Sequence, residues 1–188
     1  MVRPIAFLAS ALLTTSCIHA QSIVGAWFAE GAGKAKSDAV LTFLANGTYF
    51  LAEDGSSVLD PSGKDGMERG TYSWNPTTKA FSNHTLIDTN GQWGLSDEDI
   101  RTVTVSEKTL KLGGVKFKRI QPTVDGLDGA WFLKEGIGYA LVAFLPDGSY
   151  FMVQDGKTAK GGKSGMERGT YKWDPKTTIF TRKILRDT

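Results

Sequence analysis

The chain has 188 residues, 22 of them glycine, with 40% hydrophobic residues, 22% charged residues and a net charge of +2. That apolar and aromatic content excludes a disordered polymer, and the near balance of charge excludes a nucleic-acid or polyanion binder. The single cysteine, Cys17, excludes a disulfide framework and a cysteine-based metal cluster, and the length suits one or two small domains.

Residues 1–20 read as an export signal. Arg3 supplies the positive start, and Ile5 to Leu13 form an apolar run too short to span a bilayer as a helix. Two processing routes are open. Ala20, before Gln21, ends a cleavage site with a small residue; alternatively Cys17 becomes a lipidated N-terminus, as in bacterial lipoproteins. Cleavage is preferred, because the lipoprotein pattern wants an aliphatic residue where Thr14 stands. The protein is therefore expected to be exported, periplasmic or secreted, and membrane-anchored only if lipidated. No second apolar run follows, so no transmembrane segment is expected.

Residues 22–120 show alternation and hairpin signals and no helical period. They predict eight short strands: 23–29, 39–44, 48–53, 69–74, 80–87, 101–105, 109–112 and 115–120. Asn46-Gly47 joins the second and third strands and suits a type I′ turn. Period-two sorting puts Ile23, Gly25 and Trp27 on one face of the first strand. It turns Val103, Val105, Leu110 and Leu112 inward. On the last strand it turns Val115, Phe117 and Arg119 inward, with Lys116 and Lys118 outside. The predicted fold class is all-β: an antiparallel meander of about eight strands, closed or nearly closed into a barrel that hides its edges. A Greek-key sandwich is the alternative, but it needs long crossovers where most connections here are short.

Residues 121–125 read as a linker. Residues 126–188 then repeat the first unit. Gly25-Ala26-Trp27-Phe28 recurs as Gly129-Ala130-Trp131-Phe132, and Gly66-Met67-Glu68-Arg69-Gly70-Thr71-Tyr72 recurs unchanged at 165–171. Asp147-Gly148 takes the place of Asn46-Gly47. The offset drifts from 104 to 99 residues through length changes that belong in loops. A period near 100 residues means two domains side by side and not a solenoid. Asn90 to Ile120 have no counterpart in the second copy, which is accordingly expected to be incomplete, a fragment or a truncated reading frame. Its Trp131, Phe144 and Phe151 are expected to be only partly covered.

The unchanged block carries the candidate ligand or partner residues Glu68, Arg69 and Tyr72, with Glu167, Arg168 and Tyr171 in the second copy. By alternation Glu68 shares the aromatic face and Arg69 falls on a polar face beside Thr71. The preferred reading is structural, a loop-to-strand entry in which Gly66 and Gly70 allow close backbone paths and Glu68 caps free N–H groups. Trp93, flanked by Gly91 and Gly94, reads as a stacking platform for a ligand or, preferably, a lid over the core. Asp54, Asp60, Asp65 and Glu68 are dense enough in carboxylate to suggest a cation, but the spacing is not that of a known loop. Lys157, Lys160 and Lys163 cancel it in the second copy, so no metal or other cofactor is expected. His84 is the one histidine after the signal and has no nucleophile motif near it, so no catalytic residues are assigned.

A Gly-x-Trp on the first strand with an Arg on the last resembles the calycin superfamily, the lipocalins and small bacterial lipocalin-like domains. Gly25-Ala26-Trp27 and Arg119 carry the resemblance over about 100 residues. It implies that Arg119 packs over Trp27, that Trp131 is the second copy's structural tryptophan, and that the barrel binds a small molecule. The function expected is an exported, non-catalytic binding module of the cell envelope for a small apolar or amphipathic ligand or a protein partner. The alternative is a structural or adhesive repeat with a filled core.

Overall fold

A computed structural model describes residues 22–32, 37–55, 65–91, 94–96, 102–124, 126–135, 138–156 and 162–188. The export segment and Cys17 lie outside these residues, as do Trp93 and Asp60. Among the described residues all regular structure is β and falls into two antiparallel sheets. The first holds β1 (Gly25–Ala32), β2 (Ser37–Phe43), β3 (Thr48–Asp54), β4 (Gly66–Trp74), β5 (Phe81–Asp88), β6 (Val103–Val105), β7 (Thr109–Leu112) and β8 (Val115–Arg119), in the order β5-β4-β3-β2-β1-β8-β7-β6. The second holds β9 (Gly129–Glu135), β10 (Gly138–Phe144), β11 (Ser149–Gln154), β12 (Gly165–Asp174) and β13 (Ile179–Asp187), in the order β13-β12-β11-β10-β9.

The eight-stranded meander curls into a half-barrel because β8 returns to pair with β1. Its two edges, β5 and β6, touch at one end through a bridge between Ala80 and Thr102 and a bond from Val103 N to Lys79 O at 2.9 Å. The hairpin at Asn46-Gly47 departs from the expected turn. Gly47 has φ +82° while Asn46 is not in the positive region, and Gly47 N bonds Leu44 O. The loop is therefore a turn closed by one left-handed glycine, and Asp147-Gly148 repeats it.

The concave side of the first sheet is filled by its own side chains. Trp27, Leu41, Phe43, Tyr49, Phe81 and Leu110 are buried in one cluster with Val103, Val105, Leu112 and Phe117. Arg119 closes it: its guanidinium lies 3.8 Å from the Trp27 ring centroid, directly across the β1–β8 pairing. The guanidinium also donates to Val24 O (2.9 Å), Ser22 O (2.7 Å) and Glu107 O (2.8 Å). Lys116 and Lys118 point to solvent, as the alternation requires.

The convex side is not a polar surface. Val40, Phe50, Ala52 and Met67 join Leu141, Ala143, Phe151, Val153 and Met166 in a second core that runs between the two sheets. Strands pack on their own counterparts: β3 on β11, β4 on β12, β1 on β9. Such self-matching is the mark of a two-fold, isologous contact, here within one chain. The ion pairs repeat it. Arg69 reaches Asp155 at 3.0 Å, and Arg168 reaches Asp54, the counterpart of Asp155. Arg168 also binds Asp38, whose counterpart Tyr139 lies under Arg69 at 4.7 Å. The expectation that Arg69 sits on a polar face is therefore wrong: the other repeat covers that face, and the arginine crosses to it.

Trp27 is 0% exposed and Trp131 is 54% exposed, though both occupy the same place in their repeats. Trp27→Ala is expected to cost about 3–5 kcal/mol through the cavity it leaves. Trp131→Ala is expected to cost less than about 1 kcal/mol, as at a surface position. Urea unfolding of both variants checks this, and equal losses would contradict the asymmetry of the two sheets.

Candidate functional site

β4 and β12 carry the unchanged block, and the alternation splits it between two jobs. Met67 and Arg69 point to the other repeat; Glu68, Gly70 and Tyr72 point into the half-barrel. Gly70 has no room for a side chain, because a Cβ would lie 2.3 Å from His84 O and 2.5 Å from the Tyr49 ring. Gly169 meets Lys183 O and the Tyr150 ring in the same way. Both lie where the pairing shifts register, at Arg69/Gly70 and Arg168/Gly169. Tyr72 packs edge-on against Phe43 at 4.6 Å and donates to Leu44 O at 2.8 Å. Tyr171 packs on Phe144 and donates to Asp128 Oδ1 at 2.7 Å. Both tyrosines are half-buried and tie the inner face of their sheet to its turns.

Glu68 is fully buried. It accepts from Leu95 N (3.1 Å), Tyr49 OH (3.2 Å) and Ser96 Oγ (3.4 Å). Gly94, at φ +91°, backs onto its carboxyl so closely that a Cβ there would collide with Oε1. The turn at 94–96 thus seals the acid, and Leu95 enters the core beside it. So Glu68 does cap a free backbone N–H, but one from the β5–β6 connection and not from its own strand start. Burial, and then the Asp88 charge, push its carboxyl up to about 8, against the pull of its hydrogen bonds. Burial likewise raises Tyr49. A carboxyl titrating near neutrality can move protons, but this one faces only protein groups.

The second copy covers its acid differently. Glu167 accepts from Tyr150 OH and from Arg182 Nη1, the latter at 2.5 Å. Arg182 stands where Asn83 stands in the first copy. Burial first, then the bond to Glu167, push the Tyr150 hydroxyl up to about 12.

The inner face of the second sheet is open. Trp131, Leu133 (58%), Phe180 (42%) and Ile184 (44%) are exposed, where Trp27, Ala29 and Phe81 are buried in the first. Trp131 nevertheless keeps its twin's pose: its Nε1 donates to Leu127 O at 2.8 Å, as Trp27 Nε1 does to Ile23 O at 2.9 Å. Phe144 and Phe151, expected to be partly covered, are buried. Phe151 is covered because the second sheet packs by its outer face on the first repeat, which leaves the inner face uncovered.

The remaining candidates disperse. Asp54 pairs with Arg168 and Asp65 with Arg186 at 3.1 Å, while Glu68 is sealed inside. Among the described residues no three acidic, histidine or cysteine side chains gather to hold a metal. His84 is exposed on β5. Between the repeats lies a cleft of about 370 Å³, lined by Ala26, Phe43, Ile120, Pro122, Phe132 and Leu141 among others. Thr42 also lines it, and its Oγ1 is buried without a hydrogen-bond partner. Sequence reasoning passed over Thr42. The signal was available, since its counterpart in the repeat is the apolar Ala143.

No protein family, curated protein or solved structure matches the chain. Among the described residues no helix is long and apolar enough to cross a membrane.

The Glu68 carboxyl gives stability a definite pH dependence. Below 4.5 the group is protonated in folded and unfolded chains alike. Between 4.5 and about 8 the unfolded chain gives up the proton and the folded chain keeps it, so stability falls as pH rises, by up to a few kcal/mol. Glu68→Gln is expected to flatten that fall in urea unfolding measured across this range. A variant curve as steep as the wild type's would show that Glu68 is not its source.

Proposed function

We propose that the chain is an exported, non-catalytic binding module of the cell envelope, built on a lipocalin-like barrel of the calycin type, that engages a protein partner through the inner face of its second sheet. The observation that carries this reading is the contrast between two copies of one unit. The half-barrel of the first is filled by Trp27, Phe43, Tyr49 and Phe81. The equivalent surface of the second presents Trp131, Leu133, Phe180 and Ile184 to solvent. Exposed aromatic and aliphatic side chains on one face, here on its two edge strands β9 and β13, mark interaction sites, and aromatic anchors dominate binding energy at interfaces. The Gly-x-Trp and arginine geometry of the first copy supports the calycin reading.

A second reading takes the small amphipathic ligand and moves it from the barrel to the inter-repeat cleft. The unpartnered Thr42 hydroxyl favours it, because a buried hydroxyl without a partner costs about 1–3 kcal/mol. A ligand with one polar group and an apolar body would answer both features of that cleft.

Photo-crosslinking tests the partner reading. A benzophenone amino acid is placed at Leu133 or Ile184 on the open face, or at Lys116 or Lys172 elsewhere, in the full chain expressed in its native host. The partner reading expects one discrete crosslinked protein, identified by mass spectrometry, from the first two positions alone. The same products from all four positions, or none from any, would overturn it.

A further inference from the structure

We propose that β9 is a strand-addition site. It takes up an antiparallel strand from a partner polypeptide with an apolar inner face and an arginine that stacks on Trp131. This rests on the partner reading above and names how the partner binds.

The first repeat displays the bound state. There β8 lies along the free edge of β1, pairing Trp27 with Arg119 and Phe28 with Lys118, and Ile120 N donates to Ala26 O at 2.9 Å. The strands β6 and β7 follow it and lay Val103, Val105, Leu110 and Leu112 over the core. In the second repeat β9 is an edge, and among the described residues no strand pairs with that side of it. Adding a strand to such an edge supplies main-chain hydrogen bonds, and the side-chain pockets select the sequence.

The receiving surface is already shaped for the arginine. In the first repeat Gly25 has φ +131°, a conformation that favours glycine, and the absence of a Cβ there leaves room for Arg119 Nη1, which would lie 2.5 Å from one. Gly129 keeps both the residue and the conformation, at φ +123°, yet meets only Pro122 at 3.6 Å, an ordinary contact. Trp131 keeps its anchoring hydrogen bond while its ring stays exposed. The carbonyls that hold Arg119, those of Ser22 and Val24, have their counterparts in Gly126 and Asp128. Arg182 completes the case. It already holds Glu167 by an ion pair, where the 94–96 turn covers Glu68 by hydrogen bonds in the first copy, so a partner need bring only the equivalents of β6 to β8.

The first repeat's own segment is therefore the probe: a synthetic peptide of residues 101–120, titrated into the full chain. One peptide is expected to bind per chain and to slow hydrogen exchange at the β9 amides. Arg119→Ala in the peptide is expected to weaken binding roughly ten-fold, within the range of a cation–π contact. Trp131→Ala in the chain, at an exposed position, is expected to do the same, and the two changes together should cost little more than either alone. The same segment tethered behind Thr188 by a flexible linker gives a second measurement if the free peptide associates with itself; it should shield Trp131 from acrylamide quenching. Absence of binding in both formats, protection at β13 in place of β9, or indifference to Arg119→Ala overturns the proposal. If crosslinks from Leu133 and Ile184 persist while both formats fail, the partner reading stands and strand addition falls. If those crosslinks join two copies of this chain, a second copy is the occupant and strand addition by another polypeptide is wrong.

Discussion

A strand that is apolar on both faces has to find cover twice. β2 and β3 carry Val40, Leu41, Phe43, Tyr49, Phe50, Leu51 and Ala52 in near-continuous apolar runs, and all are buried. One face turns into the half-barrel and the other lies against the second repeat. β10 and β11 inherit the same two-sided character through Leu141, Ala143, Tyr150, Phe151 and Val153. Duplication answers half of the demand automatically, because a convex face that suits its own copy can bury both at once. The Arg69–Asp155 and Arg168–Asp54 pairs then fix the orientation. Their contribution is best read as alignment, since buried ion pairs gain little net stability against desolvation, while losing one partner strands a charge.

The concave faces are where the copies part. In the first, the segment between β5 and the end of β8 supplies what the face lacks: Leu95 N and Ser96 for Glu68, the side chains of Leu95, Val103, Val105, Leu110, Leu112 and Phe117 for the core, and Arg119 for Trp27. In the second, one substitution does one of those jobs, with Arg182 in Asn83's place holding Glu167. On β9 Trp131 and Leu133 stay exposed, and the tryptophan's pose and neighbouring glycine match those of its covered twin. The unchanged seven-residue block follows from this division. Its arginine serves the convex interface, its glutamate, second glycine and tyrosine serve the concave core, and neither task tolerates drift.

Much of this was legible in the sequence. Alternation placed all eight strands of the first copy to within about three residues, put Lys116 and Lys118 outside, and put Arg119 on the face of Trp27. These are local signals, carried by side-chain period and turn residues. The convex interface was missed although its signal was present: Phe50 between Tyr49 and Leu51 breaks a simple in-out pattern, and Asp54 and Asp155 recur at matching places ahead of Arg69 and Arg168. What misled was treating the second face of each strand as solvent by default. The capping of Glu68 by Leu95 was not readable, because it joins residues 27 apart through a turn whose path no local pattern fixes. The hairpin type failed for a similar reason, since Asn-Gly suits more than one turn and the loop length decided.

Two copies of one unit share a buried convex interface, while only the first covers its concave face. Fluorine NMR of the full chain labelled with 5-fluorotryptophan, assigned by single Trp→Phe variants and recorded with a soluble paramagnetic relaxant, reads this directly. The Trp27 resonance should stay sharp and the Trp131 resonance should broaden strongly. Two equally protected resonances in the monomeric chain would mean that the second face is covered, and the account would fail.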